Sequence, residues 1–486
     1  MPLSPFTMRF RRRGLAVFVG LAMAGNVQAA DLWTITQDAL ANDAELASVQ
    51  VSFQATEAAR DVQRGTLLPQ ISLSGEATHS RNYNGFSRGQ AQPGDGVPGG
   101  SPAARDDNVN RAGLTAGLEQ VIYNPTLNAQ LERAEREIDR DALGVDAQVQ
   151  ELFYSVSEAY FNILRAHDVL DARRAQETAI ERQLEQAQER FEVGLIAITD
   201  VHEAQATYDL ARAQRIAAEG ELQVSFEALE RLTGNRYNTI DALADEVPIE
   251  GPGPMDREEW VSLAMANNPL VLMQEAGIEV ARSGVDIARA GRQPELAAFA
   301  QYNWDDTDVS GTDYNSGSVV GLSASLPIYR GGSTRAQIRQ NSFLLEASQY
   351  DFEAQRRNTV QQVRSQFTLV NNSVEAVEAR RQAIISNQSA LEATRSGYEV
   401  GTRNIVDVLN AEQNLFNAIA EHAEARYDYV LSLLRLQQQA GLLGPDSIQA
   451  INVWLDDGES VSLQLPDETN SDPVMNIGTR PQAPTT

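Results

Sequence analysis

The chain has 486 residues, with 67 acidic against 39 basic side chains, four histidines and no cysteine. A formal charge of −28 opposes binding to nucleic acid, which needs basic surface to displace counterions. Without cysteine there is no disulfide, no thiol nucleophile, no thiolate metal site and no attachment point for an N-terminal lipid.

Residues 1–29 read as a secretory signal peptide. Arg9, Arg11, Arg12 and Arg13 form its basic region, 14–25 its apolar core, and Val27-Gln28-Ala29 a small-residue cleavage site. The apolar core is well short of the ~20 residues that a spanning helix needs, and nothing later in the chain reaches that length. Residues 1–30 carry four Arg and no acid, so the remainder has 35 basic against 67 acidic side chains, a net charge of −32. All basic residues are Arg, which has no evident functional reason.

The rest divides into a first repeat (30–235), a connecting segment (236–257), a second repeat (258–441) and a C-terminal part (442–486). In each repeat a helix, at 38–64 and again at 258–289, leads to a proline break at Pro69 and Pro294. Strand-like alternation follows. Ile71, Leu73, Gly75 and Ala77 line one face of the first segment, and Leu114, Ala116 and Leu118 that of the second. Leu296, Ala298, Ala300, Tyr302 and Trp304 do so in the third, and Val320, Leu322, Ala324, Leu326 and Ile328 in the fourth. A face of apolar side chains backed by small or polar ones separates lipid from a watery lumen, or half-buries a strand in a soluble sheet. The intervening segments 82–110 and 305–318 are rich in Gly, Asn, Asp and Ser and suit exposed turns. In lipid, four strands alone would leave unpaired edges, so that reading requires several copies in one wall.

Long helices come next, at 126–193 and 199–232 and again at 333–400 and 404–436. Leu143, Val149, Leu152, Val156, Tyr160, Ile163, Leu170, Ile180, Leu184 and Phe191 form the buried stripe of the first. Such lengths must pack side by side as a coiled coil or bundle, and Ala204, Ala206, Ala211, Ala213, Ala217 and Ala218 permit close approach. From Asp456 the chain is acidic and proline-containing, and reads as a disordered tail.

Between the long helices the chain repeats itself. Phe191-Glu-Val-Gly-Leu-Ile-Ala-Ile-Thr-Asp200 returns 207 positions later as Tyr398-Glu-Val-Gly-Thr-Arg-Asn-Ile-Val-Asp407, and Tyr123 returns as Tyr329 at a spacing of 206. A period near 200 is too long for a solenoid and marks a tandem duplication. Thr199 and Asp200 are expected to cap the following helix, whereas Asp407 lies past the expected cap. A ring of such acids on a shared axis would attract cations. Chemistry is otherwise scarce. No phosphate loop, helical zinc spacing or paired-carboxylate cleft is present, and neither catalysis nor a cofactor or metal is expected.

At these repeated motifs, and at Leu322-Ser-Ala-Ser-Leu-Pro-Ile-Tyr329-Arg-Gly-Gly332, the chain resembles the TolC family of outer-membrane channel proteins, over about 32–450. The resemblance implies a mixed α and β membrane protein. Four strands per chain would build a trimeric 12-stranded transmembrane β-barrel, and the helices a long periplasmic tunnel. An equatorial belt would be drawn from 38–64, 237–289 and the region after 441. Its implied function is export of small molecules, proteins or both, without an energy source of its own. The implied partners are two further copies of the chain, outer-membrane lipid, a periplasmic adaptor protein and an inner-membrane transporter. The alternative is a structural or adhesive periplasmic coiled-coil protein without a pore.

The resemblance also assigns residues. Thr199 and Asp200 would link to Tyr398 and Arg403 to hold the periplasmic end shut. Gln183 matches another linking position, but Arg395 stands where its acidic partner is expected, so that link must differ or be absent. Asp407 matches one of two constriction acids and Asn410 stands in place of the second. The turns Val193-Gly194-Leu195 and Val400-Gly401-Thr402 would meet the adaptor.

Overall fold

A computed structural model describes residues 29–82, 107–244, 247–307 and 314–462. The signal peptide therefore lies outside the described residues except for Ala29. The duplication is visible element by element. Helices α1 (Leu32–Asn42) and α2 (Ala44–Gly65) precede strands β1 (Gln70–Asn82) and β2 (Asp107–Tyr123), then helices α3 (Pro125–Glu192) and α4 (Ile198–Thr233). After a short strand β3 (Thr239–Leu243) the plan recurs as α5 (Arg257–Asn267), α6 (Pro269–Ala290), β4 (Glu295–Thr307), β5 (Asn315–Ser325), α7 (Ser333–Glu399) and α8 (Ile405–Gln439). A helix α9 (Pro445–Asn452) and strand β6 (Leu455–Ser462) follow.

Each helix expected before a proline break is two helices. Asp43 ends α1 and its side chain accepts from the Leu46 amide to start α2. Asn268 does the same between α5 and α6, accepting from Leu270 and Val271, with Pro269 at the first helical position. The same device at the same place in both repeats produces the kink. The alternation expected to run to Ile328 stops as a strand at Ser325, since Pro327 cannot donate to a ladder. Strands also run further into the polar segments than expected, to Asn82 and Thr307 on one side and from Asp107 and Asn315 on the other.

β1, β2, β4 and β5 form one antiparallel sheet in that order. Its register joins the four apolar faces into one. Ile71 lies opposite Leu118, Leu118 opposite Ala300, and Ala300 opposite Val320. The next rows run Leu73, Ala116, Tyr302 and then Gly75, Leu114, Trp304. The opposite face carries rows such as Ser74, Thr115, Asn303, Gly317. Among the described residues no layer covers the apolar face, where Ile71 is 84% and Val320 82% exposed.

At ~1.5 Å per residue the 68 residues of α3 extend about 100 Å, and α7 with 67 residues matches it. Helix α3 packs on α4, α6, α8 and α2, and α7 on α8, α6 and α5. The expected stripe of α3 is buried at Leu152, Val156, Tyr160, Ile163, Leu170, Ile180 and Leu184. Leu143 and Val149 are half-buried and Phe191, at the end of the helix, is exposed, because the packed partners thin out there. Of the alanines in α4, Ala204 and Ala211, one heptad apart, are the buried pair.

A second, two-stranded sheet packs beside the middle of α3. β3 pairs with β6, and Ala30 bridges Ile240 on the other side. Tyr160 of α3, fully buried, donates to the Asp241 carbonyl at 2.6 Å, and Tyr427 of α8 donates to Asp168 of α3 at 2.7 Å. Asn452 donates to Asp31 across 421 positions of sequence, which ties the two ends of the described chain together. The tail expected from Asp456 is thus a paired strand as far as Ser462, because Val461 is buried in the main core beside β3. The remainder of that expected tail lies outside the described residues.

Candidate functional site

The two repeated motifs sit together at one end of the helices. Each closes its long helix with the same hydrogen bonds. In the first repeat the Leu195 amide donates to Arg190 O and the Gly194 amide to Phe191 O; in the second, Thr402 donates to Gly397 O and Gly401 to Tyr398 O. This pairing satisfies the last helical carbonyls and requires a left-handed residue, which Gly194 at φ +77° and Gly401 at φ +80° supply. The apolar residues flanking these glycines stay in solvent, with Val193 70%, Leu195 73% and Val400 74% exposed.

The helices that follow start differently. α4 begins at Ala197, which offers no side-chain cap, so Thr199 and Asp200 lie inside the first turn rather than capping it. The Thr199 hydroxyl is 3.5 Å from Asp200 Oδ1. α8 begins at Asn404, whose side chain accepts from the Asp407 amide at 2.8 Å while Asp407 Oδ2 accepts from the Asn404 amide at 3.4 Å. Asp407 is therefore part of the cap, contrary to the expectation that it lies past one: the chain turns into α8 at Asn404, three residues earlier. Arg403 approaches the same carboxylate at 3.9 Å. Asn410 is exposed one turn further along α8.

Tyr398 is half-buried against two small apolar clusters. One holds Ile180, Leu184, Ala204, Ile405 and Leu409, the other Leu391, Val408 and Leu415. The Arg190 guanidinium lies 4.9 Å from the centre of its ring. Within one chain Arg403 thus pairs with Asp407, the Tyr398 ring meets Arg190, and the Thr199 hydroxyl approaches Asp200.

Gln183 and Arg395 do not meet each other; both reach a third residue that sequence reasoning passed over. Gln183 Nε2 donates to Glu412 Oε1 at 3.1 Å and Arg395 donates to the same oxygen at 2.6 Å. Glu412 is fully buried, while the Arg395 side chain is half exposed. Burial pushes the Glu412 carboxyl up, and Arg395 and then Gln183 draw it part of the way back. The available signal was an acid inside the apolar stripe Val408, Leu409, Leu415, Ala418 of α8.

Among the described residues no cluster of His, Asp or Glu could hold a metal, and no helix is long and apolar enough to cross a membrane. Among the described residues the sheet carries a bare apolar face of membrane-spanning length.

Residues 35–235 and 260–442 match the family described as outer membrane efflux protein. The chain belongs to that family. It is 34% identical over 450 residues to the outer membrane protein TolC of Vibrio cholerae, covering 91% of this chain and 98% of that one. It is 32% identical to TolC of Escherichia coli, over 93% and 92% of the two chains. The fold is that of the Campylobacter jejuni CmeC outer membrane channel, with a TM-score of 0.70 at 16% identity over 87% and 90% of the chains. This efflux family member is an outer-membrane export channel in which a strand wall is joined to a helical tunnel. The two family segments correspond to the two repeats, and both helical tips fall inside them.

Proposed function

We propose that three copies assemble into a 12-stranded barrel continued by a helical tunnel, with the tips of α3, α4, α7 and α8 forming a gated periplasmic entrance. The observation that carries this reading is a four-stranded sheet that is apolar on one face and, among the described residues, open at both β1 and β5. Such edges cannot remain unpaired in lipid. Phe343, Leu344 and Tyr350 of α7 are likewise exposed in one chain and would be covered by a neighbouring copy.

At the entrance, Asp200 of one helix pair would meet Tyr398 and Arg403 of another. Arg403 is largely exposed and held by Asp407 only at the limit of an ion pair, which leaves its charge free to be shared. Links of this kind contribute ~1–3 kcal/mol each, modest enough for a partner to release. Asp407, already engaged by Asn404 and Arg403, and Asn410 would line the constriction, giving one partly neutralised acid per copy. The exposed Val193, Leu195 and Val400 would dock a periplasmic adaptor, through which an inner-membrane transporter drives export of small toxic compounds or proteins. The duct itself would carry out no catalysis.

Single-channel conductance of the purified protein in a planar bilayer tests this. Wild type should pass a small, cation-preferring current, and a Tyr398→Phe, Arg403→Ser double variant a clearly larger one. An unchanged current would remove the gate assignment, and no current from inserted trimers would favour a structural coiled-coil protein. Asp407→Ala should weaken cation preference; intact selectivity would take Asp407 out of the constriction.

A further inference from the structure

Glu412 is the one carboxylate among the described residues that is fully buried. Both of its donors use Oε1, and Oε2 is buried with no hydrogen-bond partner. The group is therefore half satisfied. Its donors come from two other helices, Gln183 from α3 and Arg395 from α7, so three helices converge on one oxygen about two turns from the α8 tip. The surroundings are otherwise apolar: Val408, Leu409 and Leu415 flank it on α8 and belong to the two clusters around Tyr398. Charged and titratable groups facing it are few. Arg395 of α7 is the counter-charge, Gln183 of α3 is neutral, and Tyr208 of α4 and Tyr398 of α7 pack into the same clusters.

A buried ion pair seldom stabilises packing, because desolvating both charges costs about as much as their attraction returns. A buried carboxylate with an orphaned oxygen is worse placed still. Any movement that separates α7 and α8 from α3 would hydrate both oxygens. We infer that Glu412 is a positioning residue that biases the periplasmic entrance toward release, with Arg395 as the counter-charge that keeps the packed arrangement in place. The inference rests on this end being a gated entrance. It differs from a simple latch in the sign of its effects. Removing a latch residue loosens the entrance, whereas neutralising Glu412 tightens it.

The pH dependence has a matching direction. Burial raises the carboxyl above its ordinary 4.5 in the packed arrangement, so that arrangement binds the proton more tightly than one in which Glu412 is hydrated. Acid therefore favours the packed entrance, and the bias toward release grows as pH rises from about 4.5 through the raised value toward neutral.

The test is planar-bilayer conductance of the full-length protein as wild type, Glu412→Gln, Arg395→Ala and the double variant, recorded between about pH 5 and 7.5. Glu412→Gln keeps the shape and the Gln183 contact. It should lower the open fraction at neutral pH below that of wild type and flatten its pH dependence. Arg395→Ala should raise the open fraction, and the double variant should behave like Glu412→Gln. If Arg395→Ala fails to assemble, the Glu412→Gln and double-variant comparison with wild type decides alone. Current raised by both single variants would mean an ordinary latch and overturn the inference. So would equal open fractions in wild type and Glu412→Gln across the pH range, with the channel reading intact. Inserted trimers that pass no current in any variant would remove the channel reading and this inference with it.

Discussion

The two repeats end their long helices identically and begin the next ones differently. Gly194 and Gly401 occupy the same left-handed position with the same pair of backbone bonds behind it. Three residues on, Ala197 leaves α4 without a side-chain cap, while Asn404 and Asp407 cap α8 reciprocally. Duplication thus preserved the turn, which backbone geometry demands, and let the polar chemistry beside it diverge. The same aspartate is available to other helices in one repeat and committed to its own helix in the other.

Variants made in matched pairs break or sharpen this comparison. The largest effect belongs to the sheet, where the repeats should be equivalent. Leu73→Arg in β1 and Ala298→Arg in β4, both on the bare apolar face, should each cost ~2–4 kcal/mol near the membrane midplane. Outer-membrane fractions would contain little heat-modifiable oligomer of either, while Ser74→Arg on the opposite face should be tolerated. Tolerance of Ala298→Arg alone would mean that the repeats do not share one wall.

Smaller and again symmetrical effects are expected at the turns. Gly194→Ala and Gly401→Ala force a Cβ into the left-handed region at a cost of roughly 1–2 kcal/mol each. Proteolysis at the tips should speed up to a similar degree in both, and one tip much more sensitive than the other would break the equivalence. The smallest effect separates the repeats. Asn404→Ala should loosen the first turn of α8 by ~1 kcal/mol, and Ala197→Asn should firm up that of α4 by a comparable amount. Hydrogen exchange of the Asp407 and Asp200 amides reads both, and an unchanged Asp407 amide in Asn404→Ala would deny the reciprocal cap.

Much of this was legible before any coordinates. The period-two faces at Ile71, Leu114, Leu296 and Val320 emerge in one register because a strand slipped by one residue would present the wrong face. The long helices begin and end within a few residues of the expected places because glycine turns punctuate them. The split at Asp43 was missed because a lone capping residue inside an amphipathic run leaves little trace in the pattern, whereas Asn268-Pro269, a cap followed by proline at the first helical position, was a legible signal passed over. β3 and β6 were missed for a different reason: a five-residue strand whose partner lies over 200 positions away has no local pairing signal in the sequence.

The sequence by itself determined the local grammar of this protein: the duplication, the alternation of strand faces, the helix lengths and the turns that require glycine. These follow from side-chain periodicity and backbone sterics, which act over a few residues. Tertiary structure alone decided which polar groups share a partner. Gln183, Arg395 and Glu412 lie on three helices, and their convergence on one buried oxygen depends on the rotation and axial offset of each helix. Apolar stripes fix those to within a turn, but a hydrogen bond is sensitive to a fraction of an ångström.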